Sequence, residues 1–289
     1  KKSCIRETPT LSTDADSRTD TNLKRLRNLS LKKINYQFIV DFEHYLKTEK
    51  NCAHNTSLKY IRNFKKIVRL AMAKGWVTVD PFLNYRTKLD VINIEYLTEK
   101  EINTIYTKNF HGSRLSQVKD IFVFACYSGL AYSDLKKLTP SHIVTGIDGE
   151  KWINVRRTKT SNMCRIPLLP VAKEILDKYS NNLDLKVKGV LLPVLSNQKM
   201  NSYLKEIAEI CNIDKKLNSH LGRHTFSTTV TLANGVPLET VSSMLGHSSI
   251  KSTEHYAKVI DRKVSDDMLA LKMKFKTLKT AVPVLDRAN

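Results

Sequence analysis

One stretch near the C-terminal end, residues 219–256 (SHLGRHTFSTTVTLANGVPLETVSSMLGHSSIKSTEHY), constrains this chain more than any other. Its punctuation predicts three short helices. Asn218 and Ser219 are capping residues, whose side chains satisfy the unpaired N–H groups of a first turn. Asn234-Gly235 is a left-handed stop. Pro237 opens a second helix, LETVSSML, which ends at Gly246. His247 follows that glycine directly and is placed on the turn, and Ser248 or Ser249 can cap a third helix carrying Tyr256. His220 and Arg223 are three apart and share a helix face. The helix ends therefore present imidazole, guanidinium and phenol together. A single histidine or tyrosine is ordinarily a satisfied structural residue; four polar groups in this spacing are not explained by packing.

Charge narrows the function. The chain has 48 Lys and Arg against 28 Asp and Glu, a net +20 in 289 residues. Such an excess attracts polyanions, of which nucleic acid is the commonest. A basic membrane-surface protein is the competing reading, yet no apolar run approaches the roughly 20 residues of a spanning helix and no signal peptide is visible. Hydrophobic residues make up 41%, enough for one or two domains with their own cores. The chain begins Lys-Lys without a methionine and reads as a fragment or a processed chain. Cys4, Cys52, Cys126, Cys164 and Cys211 are odd in number, scattered and free of any C-x-x-C pair. That points to a reducing compartment and away from a disulfide framework or a structural zinc. No metal site is predicted.

Residues 1–25 are polar, with almost nothing to bury, and read as a tail or linker. Residues 26–86 turn helical. Phe38, Ile39, Phe42 and Leu46 form one apolar stripe. Asn55, Thr56 and Ser57 offer caps for a longer helix with the stripe Leu58, Ile61, Phe64, Ile67, Val68 and Ala71. That helix carries Lys59, Arg62, Lys65, Lys66 and Arg69 and no acid among them, which favours a phosphate-tracking surface over a merely solvated face. Residues 87–96 lack a period and read as a linker to a second domain, 97–289, where Thr98 and Glu101 form a capping box. WINVRR and CRIPLL alternate as strands around the turn TKTSNM. PVAKEILDKY is predicted helical with Val171, Ile175 and Leu176 inward, and residues 263–275 form an amphipathic helix with Val264, Met268, Leu269 and Leu271.

The pattern H-x-x-R (His220, Arg223), then Leu245-Gly246-His247, then Tyr256 nine positions on, resembles the tyrosine recombinase (phage integrase) family. The resemblance covers nearly the whole chain after residue 25. It implies a mainly α fold with a small antiparallel β-sheet: a helical, SAM-like core-binding domain and a catalytic domain, forming a C-shaped DNA clamp. Lys159, in the hairpin turn, matches the family's lysine, and Asp134 matches its supporting acidic residue. Read alone, the first is an exposed turn lysine and the second a solvent-facing aspartate. One departure stands out. Where the family shows G-L-R-x-S-E-L, this chain has Gly129-Leu130-Ala131-Tyr132-Ser133-Asp134-Leu135, so Ala131 replaces the first catalytic arginine. A methyl group cannot supply that planar, doubly donating charge. Arg157, or failing it Arg156, is the expected substitute; the two alternate along the strand, so one alone can face the DNA. The altered motif resembles integrases of Bacteroides-type mobile elements.

The resemblance implies a definite chemistry. Tyr256 attacks a phosphodiester to give a 3′-phosphotyrosyl intermediate without a cofactor. Arg223, His220 and His247 stabilise the charge that builds on the non-bridging oxygens. Lys159 protonates the departing 5′-oxygen. Implied partners are double-stranded DNA at recombination sites, a homotetramer tied by exchange of the C-terminal helix, and a host DNA-bending or excision factor. The implied location is bacterial, cytoplasmic and nucleoid-associated. Two alternatives remain open: a type IB topoisomerase, and a DNA-binding protein whose catalytic set has decayed at Ala131.

Overall fold

The computed structural model describes residues 30–90, 93–257 and, near the C-terminus, 268–269, 271–273 and 275. The tail expected over 1–25 lies outside them, as do Val264 and most of the first half of the predicted last helix. The chain divides into two compact units, Lys1–Ile92 and Asn93–Asn289.

In the first unit, helix α1 (Tyr36–Thr48) begins at Asn35, whose side chain accepts from the Phe38 N–H. Helix α2 is His54–Ala73. The caps predicted at Asn55, Thr56 and Ser57 do not act as caps: the helix starts earlier, and Asn55 instead exchanges two hydrogen bonds with the backbone of Asp90. Ile39, Leu46, Leu58, Ile61, Val68 and Phe82 are buried between the helices and the segment after them. Phe64 packs edge-on to Phe42 at 5.6 Å and to Phe82 at 6.0 Å. Ile67, assigned to the stripe from sequence, is 63% exposed. It lies one residue, and so about 100° round the helix, from buried Val68. Lys59, Arg62, Lys66 and Arg69 recur at three- and four-residue steps and are exposed on the face away from the core. Lys65 is half-buried, its Nζ 5.3 Å from the Phe82 ring centre.

The second unit is built round one helix. Helix α3 (Glu99–Thr107) carries the Thr98–Glu101 capping box that the sequence predicts. Helix α4 (Ser113–Ser128) buries Val118, Asp120 and every residue from Ile121 to Cys126. It shows no apolar stripe because neighbours surround it. The short helix α5 (Tyr132–Leu135) follows. Strands β1 (Ile143–Thr145), β2 (Lys151–Arg156) and β3 (Met163–Pro167) form an antiparallel sheet in that order. β1 was not predicted; three residues are too few to show an alternation. Ile153 pairs with Ile166 and Val155 with Cys164, which turns these four inward. Helices α6 (Pro170–Tyr179), α7 (Leu183–Lys188) and α8 (Asn197–Ile210) complete the scaffold. On α6 the buried pair is Ala172 and Ile175, with Val171 and Leu176 only partly covered.

Residues 219–257 fold as α9 (Ser219–Thr225), α10 (Leu238–Met244) and α11 (Lys251–Ala257). The first of these helices is not uniform. After α9 the chain widens into a π-helical turn, Phe226–Thr231, and tightens into a 3-10 turn, Leu232–Asn234, before Gly235 at φ +83° ends it. Thr231 Oγ1 donates within this turn, lying 3.0 Å from the Phe226 carbonyl and 2.8 Å from that of Ser227. Such π turns are frequently found at functional sites.

Candidate active site

Asn218 starts α9 by accepting from the N–H groups of His220 (2.9 Å) and Leu221 (3.0 Å). The helix is thereby held with Arg223 pointing into the protein, where it is only 2% exposed. Among the described residues no carboxylate pairs with it directly. Its Nη1 donates to the Gly129 carbonyl (2.7 Å) and its Nη2 to the Leu245 carbonyl (2.6 Å) and to His247 Nε2 (3.0 Å). A guanidinium has five N–H donors and no acceptor, so these contacts leave two N–H groups for another anion. Burial, reinforced by Arg157, lowers its pKa to about 10, and it stays cationic at neutral pH.

The same logic fixes the His247 tautomer. Because Arg223 can only donate, Nε2 accepts, and the ring proton sits on Nδ1, 2.8 Å from Thr253 Oγ1. His247 is lowered to about 4 by burial and by Arg223 and Arg157, and is neutral in the unliganded protein.

The turn before His247 is tightly built. Gly246 has φ +60°, and a Cβ added there would lie 2.7 Å from Cys164 Sγ and 2.9 Å from Arg157 Cδ. Its carbonyl accepts from Asn162 Nδ2 (3.1 Å) and, more loosely, from Arg157 Nη1 (3.4 Å). The β2–β3 hairpin is thus latched to the loop that carries His247. Asp134 ties it from the other side: only 2% exposed, it accepts from the Thr158 N–H at 2.9 Å and lies 4.0 Å from Arg157 Nε. It is therefore not a solvent-facing aspartate. Arg157 Nε is itself buried without a hydrogen-bond partner.

Of the two candidate arginines, Arg157 turns towards Arg223, His247 and Tyr256, whose titrations all feel its charge. Arg156 is exposed and donates to the Ser161 carbonyl at 2.8 Å, across the hairpin turn. Ala131 precedes α5 and is half-buried. Lys159 is exposed in the hairpin turn, and its charge helps to depress His220 after burial, Arg223 and Arg157.

Tyr256, on α11, is 5% exposed, and its Oη lies 3.0 Å from Nδ1 of His224. Burial raises the phenol pKa, while Arg223, a hydrogen bond from Ser227 and Arg157 pull it down. Sequence reasoning missed His224, although its position four residues after His220 puts both on one face. The two rings meet edge to face at 4.4 Å. Thr253 and Asn162, which orient His247 and the hairpin, were missed too: Thr253 meets His247 six residues back, across the turn, and Asn162 meets the Gly246 carbonyl 84 residues on.

His220, Arg223, His247, Tyr256, Arg157 and Asp134 thus converge, with Lys159 at the edge of the group. The cluster is strongly cationic, with Asp134 as its acid, and is suited to an anion. Among the described residues no group of His, Cys, Asp and Glu could hold a metal, and no helix is long and apolar enough to cross a membrane.

Comparison with known proteins bears on both units. The model of the phage integrase SAM-like domain matches residues 13–88, and that of the phage integrase family matches residues 95–263. Tyrosine recombinase XerC of Bacillus licheniformis is 27% identical over 235 residues, 76% of this chain and 74% of that protein. Tyrosine recombinase XerD of Listeria monocytogenes serotype 4b is 26% identical over 246 residues, 79% of each. The match to XerD of Halalkalibacterium halodurans is 42% identical over 72 residues but spans only 24% of that relative's length. In fold, the chain is similar to lambda integrase (75–356), solved as a dimer bound to a COC′ core site, with TM-score 0.63, 19% identity and coverage of 84% and 89%. It is similar also to the Tn1549 transposon integrase in complex with circular intermediate DNA, with TM-score 0.63, 17% identity and coverage of 87% and 93%.

Proposed function

The chain belongs to the phage integrase family and is a tyrosine recombinase, and from that premise we propose that it cuts and rejoins DNA strands at specific sites through a 3′-phosphotyrosyl bond to Tyr256. The observation that carries this is the position of the Tyr256 hydroxyl beside a buried arginine–imidazole cluster that has donors to spare for a phosphate. Attack on a phosphodiester builds negative charge on two non-bridging oxygens. The two remaining N–H groups of Arg223 stabilise it, with His220 at the same helix end. His247 fixes the Arg223 guanidinium and, once a phosphate brings its charge, can add a donor of its own. Lys159, on the exposed turn, protonates the 5′-oxygen that leaves.

Arg157 supplies the charge that Ala131 cannot. Its support is geometric: it faces the cluster, its Nε makes no hydrogen bond among the described residues, and buried Asp134 lies 4.0 Å from that Nε and accepts from the Thr158 N–H at the start of the turn. This arrangement favours substitution over decay as the account of Ala131. The altered motif fits an integrase or transposase of a mobile element.

The exposed face Lys59, Arg62, Lys66 and Arg69, with Lys65 beside it, tracks the DNA backbone. Met268, Leu271 and Phe275 lie on helical backbone at i, i+3 and i+7, share one face and are 43–58% exposed. An apolar helix face of this kind supports a tetramer on DNA tied by exchange of the C-terminal segment, whereas a type IB topoisomerase would act as a monomer. A DNA-bending or excision factor of the host is a further partner.

A nicked suicide duplex carrying the recombination site tests the reading. Cleavage releases the short 5′-hydroxyl strand and traps the covalent complex, which migrates as an adduct on a denaturing gel. The wild type is expected to accumulate adduct and Tyr256→Phe to bind the duplex without forming any. Adduct with Tyr256→Phe would refute the nucleophile; none with the wild type would favour the decayed DNA-binding protein.

A further inference from the structure

The chemistry above leaves one proton without a destination, that of the attacking phenol. We propose that His224 is the base that takes this proton from Tyr256 in strand cleavage and returns it in rejoining. The inference rests on the reading of Tyr256 as nucleophile.

Geometry singles His224 out. Its Nδ1 stands 3.0 Å from Tyr256 Oη, within the range of a direct transfer. Other nearby groups are unsuited. Arg223 has no lone pair to offer. His247 turns Nε2 to Arg223 and Nδ1 to Thr253. Lys159 is in the exposed turn of the hairpin.

Ser227, one turn after Arg223, is compatible with Tyr256 as the donor in its bond to His224. Its hydroxyl donates to the Arg223 carbonyl at 2.8 Å and is also within reach of Tyr256, where it favours the phenolate. When its rotatable proton turns to Oη, the phenol oxygen is an acceptor from Ser227 and a donor to His224. The imidazole then carries its own proton on Nε2 and presents a free lone pair at Nδ1. His220 packs edge-on against the ring at 4.4 Å and restricts its rotation.

The resting ring is neutral, held low first by burial and then by His220 and Arg223. A docked phosphate offsets the arginine charge and makes the imidazole more basic at the moment the phenol is to be deprotonated. The step balances. The phenol O–H bond breaks and its proton passes to Nδ1. The Oη–P bond forms, the P–O5′ bond breaks, and the 5′-oxygen takes a proton from Lys159. In rejoining, the 5′-hydroxyl returns its proton to the Lys159 amine as its oxygen attacks phosphorus, the Oη–P bond breaks, and the imidazolium protonates the departing phenolate.

Two substitutions and two substrates test this in the full chain. His224→Asn keeps an acceptor near the place of Nδ1 but cannot carry the proton; His224→Ala removes both. The suicide duplex is made with either oxygen or sulfur at the bridging 5′ position, because a thiolate leaves without a proton. His224→Asn is expected to bind the duplex like the wild type and unfold at a similar temperature, yet to cleave both substrates about 10²–10⁴-fold more slowly. Lys159→Ala, in contrast, is expected to recover on the sulfur substrate. Added imidazole should restore part of the rate to His224→Ala. Cleavage by His224→Asn within about threefold of the wild type would reduce the histidine to a positioning role and overturn the proposal. So would recovery of His224→Asn on the sulfur substrate, or an Ala variant that imidazole leaves unchanged. A wild type without adduct takes down the recombinase reading and this one together; adduct that depends on Tyr256 but not on His224 takes down this one alone.

Discussion

Gly246→Ala is the substitution whose cost the structure lets one work out most fully. Gly246 stands at φ +60°, a left-handed conformation that costs an L-residue about 1–2 kcal/mol. The added methyl would meet Cys164 Sγ at 2.7 Å and Arg157 Cδ at 2.9 Å, with the Met163 carbonyl at 3.3 Å. The arginine stem can move; the buried thiol and the strand carbonyl cannot easily, and overpacking of this kind costs about 1–3 kcal/mol. Together these give roughly 2–5 kcal/mol, which in a unit of this size lowers Tm by about 5–15 °C. Thermal unfolding followed by circular dichroism measures it. Cleavage should fall further than stability alone dictates, because the residue lies between the Leu245 carbonyl that holds Arg223 and His247 itself, and its clash displaces Arg157. The companion change Cys164→Ala, made in the Gly246→Ala background, relieves the sulfur contact but not the backbone term, and should recover about 1–2 kcal/mol. A Tm for Gly246→Ala within a degree of the wild type would refute the reasoning at its root, since both the backbone and the packing terms would then be wrong.

Arg157→Ala should lower the rate of adduct formation about 10²–10³-fold and Arg157→Lys should restore little of it, while Arg156→Ala stays near wild type; a reversed order would hand the role to Arg156. Replacing Lys59, Arg62, Lys66 and Arg69 by Gln, one at a time, should weaken binding to any duplex and reduce the slope of log affinity against log salt by about 0.9 each. An unchanged slope would remove that residue from the phosphate contacts. Leu271→Glu with Phe275→Glu, four residues apart on one helix face, should abolish higher-order complexes on DNA in sedimentation experiments and leave covalent adduct formation by the isolated protomer intact; persistence of a tetramer would place the subunit contact elsewhere.

What was legible in the sequence was what depends on neighbours along the chain. The Asn218 cap, the stop at Gly235 and the Thr98–Glu101 box are all satisfied within four residues, so a linear reading finds them. The places where it failed are those decided by distant contacts. Ile67 looks like part of a stripe until Val68 and Phe64 are seen to fill the core. Asn55 looks like a cap until the backbone of Asp90 claims its amide. β1 is too short to alternate, and α4 is buried on every side, so neither has a pattern to read.

The site divides along the same line. His220, Arg223, His247 and Tyr256 stand in a spacing that can be read as a motif, but His224 gains its meaning only when α11 brings a phenol to it across 32 residues. Ala131, at the position where the resembling family shows an arginine, poses the converse case. A motif reader sees a gap there, whereas the fold brings Arg157, 26 residues later, against the buried carboxylate at Asp134, three residues past the gap. A phosphate responds to the field at its own position, not to the order of residues along the chain. A cation delivered by the hairpin is therefore equivalent to one delivered by the helix turn, provided that something buried fixes its stem. Asp134 and the Gly246 carbonyl hold the Arg157 stem here, so on the function proposed above the pair Asp134–Arg157, rather than Arg157 alone, would be the unit that stands in for the missing residue. Asp134→Asn should accordingly impair cleavage in the wild type, yet add little to the defect of Arg157→Ala. Additive losses in that double-mutant cycle would separate the two residues and return the question of Ala131 to the rest of the site.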